Sequence, residues 1–181
     1  MKSSHKRAIL GTSCITIAIT LAVTGLILCF SVGYGVAGER PPLKIGDTPP
    51  RIDLTDTKGS IIRIPDDLRG KVVILQFWAS GCGACGDEMS AMQALYDRYG
   101  RKGLVILAIN VGQRKDIVKK WLQDIRISYP VLLDTNKEMA RKYDVIDLPR
   151  TYLVDKKGII RYKIVGNTPR ETLQKKILSL L

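Results

Sequence analysis

The chain has 181 residues, a length that predicts one domain with an additional segment rather than several domains. It carries 29 basic and 17 acidic residues, for a formal net charge of +12. The basic pairs are scattered along the chain and no nucleic-acid recognition motif accompanies them. This pattern indicates a solvated basic surface and argues against nucleic-acid binding.

The first 38 residues predict a membrane-spanning segment. A basic start precedes residues 8–38, a run of 31 residues without a charged side chain. That run is longer than the core of a secretory signal and long enough to span a bilayer. The basic start predicts an N-terminus in the cytoplasm, a single-pass signal-anchor in the inner membrane and an exported, periplasmic domain. A cleaved signal peptide is the alternative, since the small residues Gly35-Val36-Ala37 precede Gly38.

Residues 39–50 are rich in proline and glycine and predict an extended linker before a folded domain over residues 51–181. Two short apolar runs flank a glycine-bearing turn at residues 56–59, which predicts a β-hairpin at the start of this domain. The stretch 71–77 is apolar nearly throughout, as expected for a central strand that is covered on both faces.

Helices and strands alternate after this strand. The spacing of apolar residues predicts a helix from Cys85 to Gly100, a strand over residues 104–109, an amphipathic helix over residues 117–125, a short helix around Met139, a hairpin over residues 150–165 and a final helix. The final helix is predicted to open with a capping box, with Thr168 as cap, Pro169 in the first position and Glu171 three residues on. This order predicts an α/β fold with a mixed central sheet and helices on both faces.

Two cysteines stand where the central strand gives way to its helix. Cys82 and Cys85 are about one helical turn apart, close enough to close a small disulfide ring. Unpaired N–H groups and the positive end of the helix dipole lower the pKa of a thiol at this place. Because Cys82 precedes the helix, we predict that it is the more exposed, attacking thiolate and that Cys85 resolves the mixed disulfide from inside.

Other cysteine chemistries lack their partner residues. The sole histidine is His5, so the chain after position 38 has two cysteines and no histidine. A structural zinc site, a cysteine–histidine hydrolase and a copper site all need histidines or more cysteines. A c-type haem attachment needs histidine where Gly86 stands. We therefore predict no metal and no cofactor, and an inert structural disulfide remains the alternative to a catalytic one.

Two motifs together resemble the thioredoxin superfamily, and more closely its membrane-anchored TlpA/ResA-like branch of redoxin (AhpC/TSA-like) domains. The first is Leu68-Arg69-Gly70-Lys71 with Phe77-Trp78-Ala79, the Cys-x-x-Cys and Glu88-Met89, and the second is residues 148–155. The resemblance covers residues 45–181 and implies a thioredoxin-like fold with an N-terminal β-hairpin. It also implies thiol–disulfide oxidoreductase activity.

The resemblance also assigns residues to a site. It implies that Pro149 is a cis-proline that faces the disulfide and leaves the backbone of Leu148 free to pair with a substrate. Gln76 occupies the position of a buried aspartate in thioredoxin and cannot titrate, so it is predicted to orient a water or a thiol. Trp78 is predicted to pack beside the site. Asp87 and Glu88 are candidates to accept the proton of the second cysteine.

The implied function is that of a membrane-tethered reductant of protein disulfides outside the cytoplasm. Relatives of this branch keep apocytochrome c cysteines reduced during cytochrome c maturation and receive electrons from a membrane thiol-reductant transporter. Gly81, Ala84 and Ser90 depart from the family pattern, and the first two leave the redox potential and the direction of electron flow open. A thiol peroxidase is one alternative, although Ala79 stands where peroxiredoxins have threonine, and a redox-inert binding module is another.

Overall fold

The computed structural model describes residues 42–181. The predicted membrane-spanning segment and the start of the predicted linker lie outside these residues. Within residues 42–181, no helix is long and apolar enough to cross a bilayer. Residues 42–50 contain no helix or strand, but the N–H of Gly46 donates to the carbonyl of Ile160 at 2.9 Å. The N–H of Ile160 donates in turn to the carbonyl of Asp47, so this segment is attached to the domain.

The described residues form seven strands and four helices. The strands are β1 (Ile52–Thr55), β2 (Ile61–Ile64), β3 (Val72–Trp78), β4 (Leu104–Val111), β5 (Val131–Asp134), β6 (Arg150–Val154) and β7 (Ile160–Val165). The helices are α1 (Cys85–Tyr99), α2 (Lys115–Trp121), α3 (Glu138–Lys142) and α4 (Arg170–Leu178). Short 3₁₀ turns occur at Asp66–Leu68, Gly100–Lys102 and Leu122–Asp124.

The strands form two sheets. β1 and β2 pair as the predicted antiparallel hairpin, and the other five strands form one mixed sheet in the order β5-β4-β3-β6-β7. β3, β4 and β5 are parallel, whereas β6 is antiparallel to β3 and β7 is antiparallel to β6. In this register Phe77, near the end of β3, pairs with Arg150, the first residue of β6. The loop after β3 and the segment before β6 therefore lie at the same edge of the sheet, the one at which β3 ends and β6 begins.

The central strand β3 divides the core in two. Val72, Ile74 and Trp78 pack with residues of α1, α2 and α4 on one face of the sheet. The alternate residues Val73, Leu75 and Phe77 pack with the hairpin and α3 on the other face, as the two-residue period of a strand requires. Each such apolar side chain contributes about 1.5–3 kcal/mol when it is buried. The predicted mixed sheet with helices on both faces is confirmed.

The start of the final helix differs from the prediction. Pro169 has φ −53° and ψ 137°, an extended conformation, so α4 begins at Arg170. The helix has no side-chain capping hydrogen bond, and Glu171 is its second residue. The predicted capping box at Thr168 is therefore wrong, because extended Pro169 separates Thr168 from the first turn.

The second amphipathic helix is shorter than its apolar pattern predicted. α2 ends at Trp121, and the 3₁₀ turn of residues 122–124 takes over before Ile125, which is extended. Val118 is fully buried, but Ile117 on the same predicted face is 43% exposed. The apolar pattern of residues 117–125 therefore spans one α-helix and one tighter turn, which present their side chains in different directions.

Candidate active site

The two predicted cysteines are joined by a disulfide at one edge of the sheet. The loop of residues 79–84 connects β3 to α1, and the Cα atoms of Cys82 and Cys85 are 5.4 Å apart. Cys85 is the first residue of α1 and is fully buried, whereas Cys82 is partly exposed. The N–H of Cys82 donates to the carbonyl of Ala79 at 3.1 Å. A thiol at Cys82 would be the one that a macromolecular substrate can reach.

Pro149 lies at this same edge. The Leu148–Pro149 peptide bond is cis, as the resemblance implied, and Pro149 directly precedes Arg150, the residue that pairs with Phe77. The carbonyl of Pro149 accepts a hydrogen bond from the N–H of Gly166 at 2.9 Å. Within the part of the chain that the structure describes, neither backbone group of Leu148 has a backbone partner. Leu148 is partly exposed, whereas Pro149 is buried.

A buried amide–carboxyl pair lies behind Cys85. Gln76 on β3 donates from Nε2 to Oε2 of Glu88 on α1 at 2.7 Å, and both residues are buried. Burial raises the pKa of Glu88, while the Gln76 hydrogen bond and the nearby backbone amide of Thr168 oppose this rise. The other carboxyl oxygen, Oε1, has no hydrogen-bond partner among the described residues.

Glu88 and its neighbour Asp87 differ in position. Glu88 follows Cys85 by three residues on the buried face of α1, a spacing that places two helical side chains next to each other. Asp87 faces solvent. Of the two candidates for the proton of Cys85, Glu88 is therefore the one on the correct face of the helix.

Trp78 packs below the site rather than lining it. Its side chain is fully buried, and its ring lies against that of Trp121 with the centroids 4.4 Å apart. Trp121 and Ile125 also approach Gly86, since a Cβ atom at Gly86 would lie 3.8 Å and 3.3 Å from them. The two indole rings therefore support the first turn of α1, which agrees with the predicted packing role of Trp78.

Sequence reasoning missed several polar residues near the site. Gln113, which follows β4, hydrogen-bonds to Ser80 in the cysteine loop, and Asn110, near the end of β4, donates a hydrogen bond to Gln113. Arg150 is buried beside Pro149, with Asp147 as its nearest acidic partner at 3.9 Å. The signal that could have identified Asn110 and Gln113 is their place at and just after the carboxyl end of a buried strand, because functional residues of open α/β sheets gather there.

The arrangement is suited to thiol–disulfide exchange. It combines a partly exposed sulfur, a buried resolving sulfur and a buried carboxyl group close to the latter. Within residues 42–181, no group of three or more His, Cys, Asp or Glu side chains could hold a metal ion. The chemistry that this arrangement supports is the exchange of disulfide bonds at the two sulfurs.

Comparison of the sequence with known proteins also indicates thiol–disulfide exchange. The AhpC/TSA family model matches residues 45–163. The thiol-disulfide oxidoreductase ResA of Geobacillus kaustophilus is 35% identical over 159 residues, which cover 86% of this chain and 91% of that protein. The protein of the same name from Bacillus subtilis is 32% identical over 160 residues, which cover 86% and 88% of the two chains.

Solved structures agree. A crystal structure described as a putative thiol:disulfide interchange protein DsbE from Chlorobium tepidum aligns with a TM-score of 0.72 at 30% identity. The alignment covers 76% of this chain and 98% of that one, which confirms the thioredoxin-like fold. With this fold and a bonded cysteine pair, the chain is a thiol–disulfide oxidoreductase that acts on protein disulfides. It belongs to the AhpC/TSA family and, within the thioredoxin superfamily, to the TlpA/ResA-like proteins.

Proposed function

We propose that the chain is a membrane-tethered reductant of protein disulfides that works outside the cytoplasm through its Cys-Gly-Ala-Cys motif. The observation that carries this proposal is the position of the cysteine pair. A partly exposed Cys82 and a buried Cys85 lie at the sheet edge where, among residues 42–181, the Leu148 backbone has no backbone hydrogen-bond partner. An exposed attacking sulfur beside a protected resolving sulfur is the arrangement that disulfide reduction needs.

The reaction has two exchange steps. In the reduced protein, the Cys82 thiolate attacks one sulfur of the substrate disulfide and releases the other as a thiolate. The Cys85 thiolate then attacks Sγ of Cys82, which forms the Cys82–Cys85 bond and releases the second substrate thiolate. Two electrons pass from the dithiol to the substrate, and the protein is left as the disulfide seen in the structure.

Glu88 serves the second step. Cys85 is buried and must lose its proton before it can attack, and burial raises the pKa of a thiol as it does that of the Glu88 carboxyl. A carboxyl group with a raised pKa is a better proton acceptor than an ordinary one. Gln76 holds one oxygen of this carboxyl at 2.7 Å and leaves the other to take the proton.

The substrate binds as an extended segment along the cis-proline loop. Leu148 offers its backbone N–H and C=O for strand-like pairing. Two exposed apolar residues lie near this pairing site: Ile146 is 80% exposed, and Val165, which pairs with Arg150, is 58% exposed. We therefore expect the substrate cysteine to have apolar neighbours.

The uncharged N-terminal run supports the proposed cellular setting. Residues 8–38 would anchor the chain in the cytoplasmic membrane with the domain outside, where thiols otherwise become oxidised. A dedicated reductant there would act on proteins whose cysteines must stay reduced, such as apocytochrome c with its haem-site cysteines. The Cys82–Cys85 dithiol of this chain would be restored by a membrane thiol-reductant transporter.

Trapping tests this proposal. The full-length Cys85→Ser variant, expressed in cells that make c-type cytochromes, is expected to accumulate as a mixed disulfide through Cys82, because the resolving thiol is missing. Non-reducing electrophoresis and mass spectrometry of the complex should identify apocytochrome c. The matched control, Cys82→Ser combined with Cys85→Ser, should capture nothing. Capture of other proteins alone would overturn the cytochrome assignment, and no capture at all would overturn the reductant assignment.

A further inference from the structure

We propose that Gln113 is a positioning residue that holds the cysteine loop in its reactive shape while the disulfide is open. This inference rests on the proposed function, since it concerns the dithiol that Cys82 and Cys85 form during turnover. Gln113 lies outside the cysteine motif and the cis-proline loop, and follows β4 rather than β3. Its role is therefore to act on the cysteines through the loop that carries them.

The loop has little packing of its own. Between buried Trp78 and buried Cys85, none of the six residues 79–84 is buried. Gly81 and Gly83 are exposed, and a Cβ atom placed on either would meet nothing within 4 Å. Cys82 packs partly against the core, so the rest of the loop is held mainly by hydrogen bonds and by the disulfide itself.

Gln113 hydrogen-bonds to the backbone N–H and to the hydroxyl group of Ser80, two residues before Cys82. Its Oε1 atom accepts a hydrogen bond from the backbone N–H of Ser80 at 2.9 Å. Its Nε2 atom donates to Oγ of Ser80 at 2.7 Å. Contact at two points fixes the orientation of Ser80 as well as its distance from β4.

Asn110 connects this contact to the sheet. It is a fully buried residue of β4 that pairs with Trp78, and its Nδ2 atom donates to Oε1 of Gln113 at 2.8 Å. Gln113 therefore links the exposed loop to β4, a strand inside the five-stranded sheet. We call the three side chains of Ser80, Asn110 and Gln113 the loop clamp.

The loop clamp matters most when the Cys82–Cys85 bond is absent. In the oxidised protein the disulfide ties the loop to α1, but in the mixed disulfide with substrate that tie is gone. The Cys85 thiolate must then reach Sγ of Cys82, and a reaction between two groups on one chain is fast only while they are held in the correct geometry. The loop clamp preserves that geometry through Ser80.

Single-turnover kinetics of the full-length protein test this inference. Reduced protein in detergent is mixed with a peptide disulfide that carries a chromogenic thiol, so that the attack of Cys82 and the ring closure by Cys85 are measured separately. We expect Gln113→Ala to slow ring closure about tenfold and to change the bimolecular attack much less. The exposed glutamine Gln123 provides the matched control, and Gln123→Ala should behave as wild type.

A conservative variant separates positioning from mere loss of structure. In Gln113→Glu the carboxylate can accept hydrogen bonds from Ser80 N–H, Ser80 O–H and the Asn110 amide, so the rate of ring closure should return to near the wild-type value. Its negative charge should shift the pH profile of the Cys82 attack to higher pH, since a nearby anion disfavours the thiolate. Ser80→Ala, which removes one of the two contacts, should slow ring closure about threefold.

The outcomes are distinct. Wild-type ring-closure rates in both Gln113→Ala and Ser80→Ala would overturn the loop clamp and leave the proposed function standing. A wild-type protein that reduces no peptide disulfide would overturn the proposed function itself. Should Gln113→Ala fail to fold, Ser80→Ala and Gln113→Glu decide the matter. Slow closure in Ser80→Ala with near-normal closure in Gln113→Glu supports the clamp, and any other pair of results rejects it.

Discussion

Replacing Cys82 with serine is expected to abolish the reduction of protein disulfides, with a loss of about 10³-fold or more. The hydroxyl group of serine is not ionised at neutral pH and cannot replace the thiolate as the attacking group, and no other cysteine within residues 42–181 is exposed. Cys85→Ser is expected to block a different step. This variant keeps the first exchange step, and the reaction then stops at the mixed disulfide with the substrate.

The measurement is steady-state reduction of a peptide disulfide by the full-length protein in detergent, with dithiothreitol as the electron source. Cys29→Ser is the matched control, because Cys29 lies in the uncharged N-terminal run and its loss should leave the rate unchanged. A Cys82→Ser variant that keeps a tenth of the activity would contradict the assignment of the attacking thiol. Peroxide consumption that depends on Cys82, without disulfide reduction, would favour the peroxidase alternative instead.

Glu88→Gln is expected to slow ring closure by about 10- to 100-fold, while the first exchange step is preserved. The carboxamide cannot accept a proton, so the buried Cys85 thiol must ionise without help, and general acid–base catalysis of this kind contributes about 10²–10⁴-fold in enzymes. The variant should also lose the inflection that Glu88 contributes to the pH profile of ring closure. That inflection lies above the ordinary glutamate pKa, because burial raises the pKa of Glu88.

Although Glu88→Gln should slow ring closure, it should not lower the stability of the folded protein above the raised pKa of Glu88. Because the pKa of Glu88 is raised in the folded protein, its contribution to stability is present below the ordinary glutamate pKa and is lost as the pH rises through the raised value. Glutamine cannot ionise, so Glu88→Gln avoids this loss of stability at higher pH. Urea unfolding above the raised pKa should therefore find the variant at least as stable as wild type, even though its ring closure is slower.

The neighbouring substitution Asp87→Asn provides the control for Glu88, since Asp87 is exposed on the same helical turn and should change neither measurement. If Glu88→Gln closed its disulfide at the wild-type rate, another group would be the proton acceptor. If the variant were less stable at every pH, the effect on rate would be attributable to damage to the buried Gln76–Glu88 pair.

Local sequence patterns predicted most of the fold because they depend on residues close together in the chain. The apolar run of β3 and the glycine-bearing turns of the two hairpins identified those elements. The spacing of Cys82 and Cys85 predicted their pairing for the same reason. The resemblance supplied Pro149, whose relation to the cysteines no local pattern shows.

The remaining features depend on register between distant elements. Gln76 meets Glu88 across twelve residues, and Gln113 meets Ser80 across thirty-three, so both contacts become visible only once β3, β4 and α1 are placed together. The start of α4 was missed for a different reason. The residues around Pro169 have the composition of a capping box, but the backbone of Pro169 is extended.

The relative reactivity of the two thiols tests the central claim most directly. Reduced full-length protein is treated with limiting iodoacetamide across a range of pH, and labelling of each cysteine is followed by peptide mass spectrometry. We predict that Cys82 is labelled first, with an apparent pKa below that of an ordinary cysteine, and that buried Cys85 is protected. Equal labelling of the two cysteines, or faster labelling of Cys85, would contradict this account.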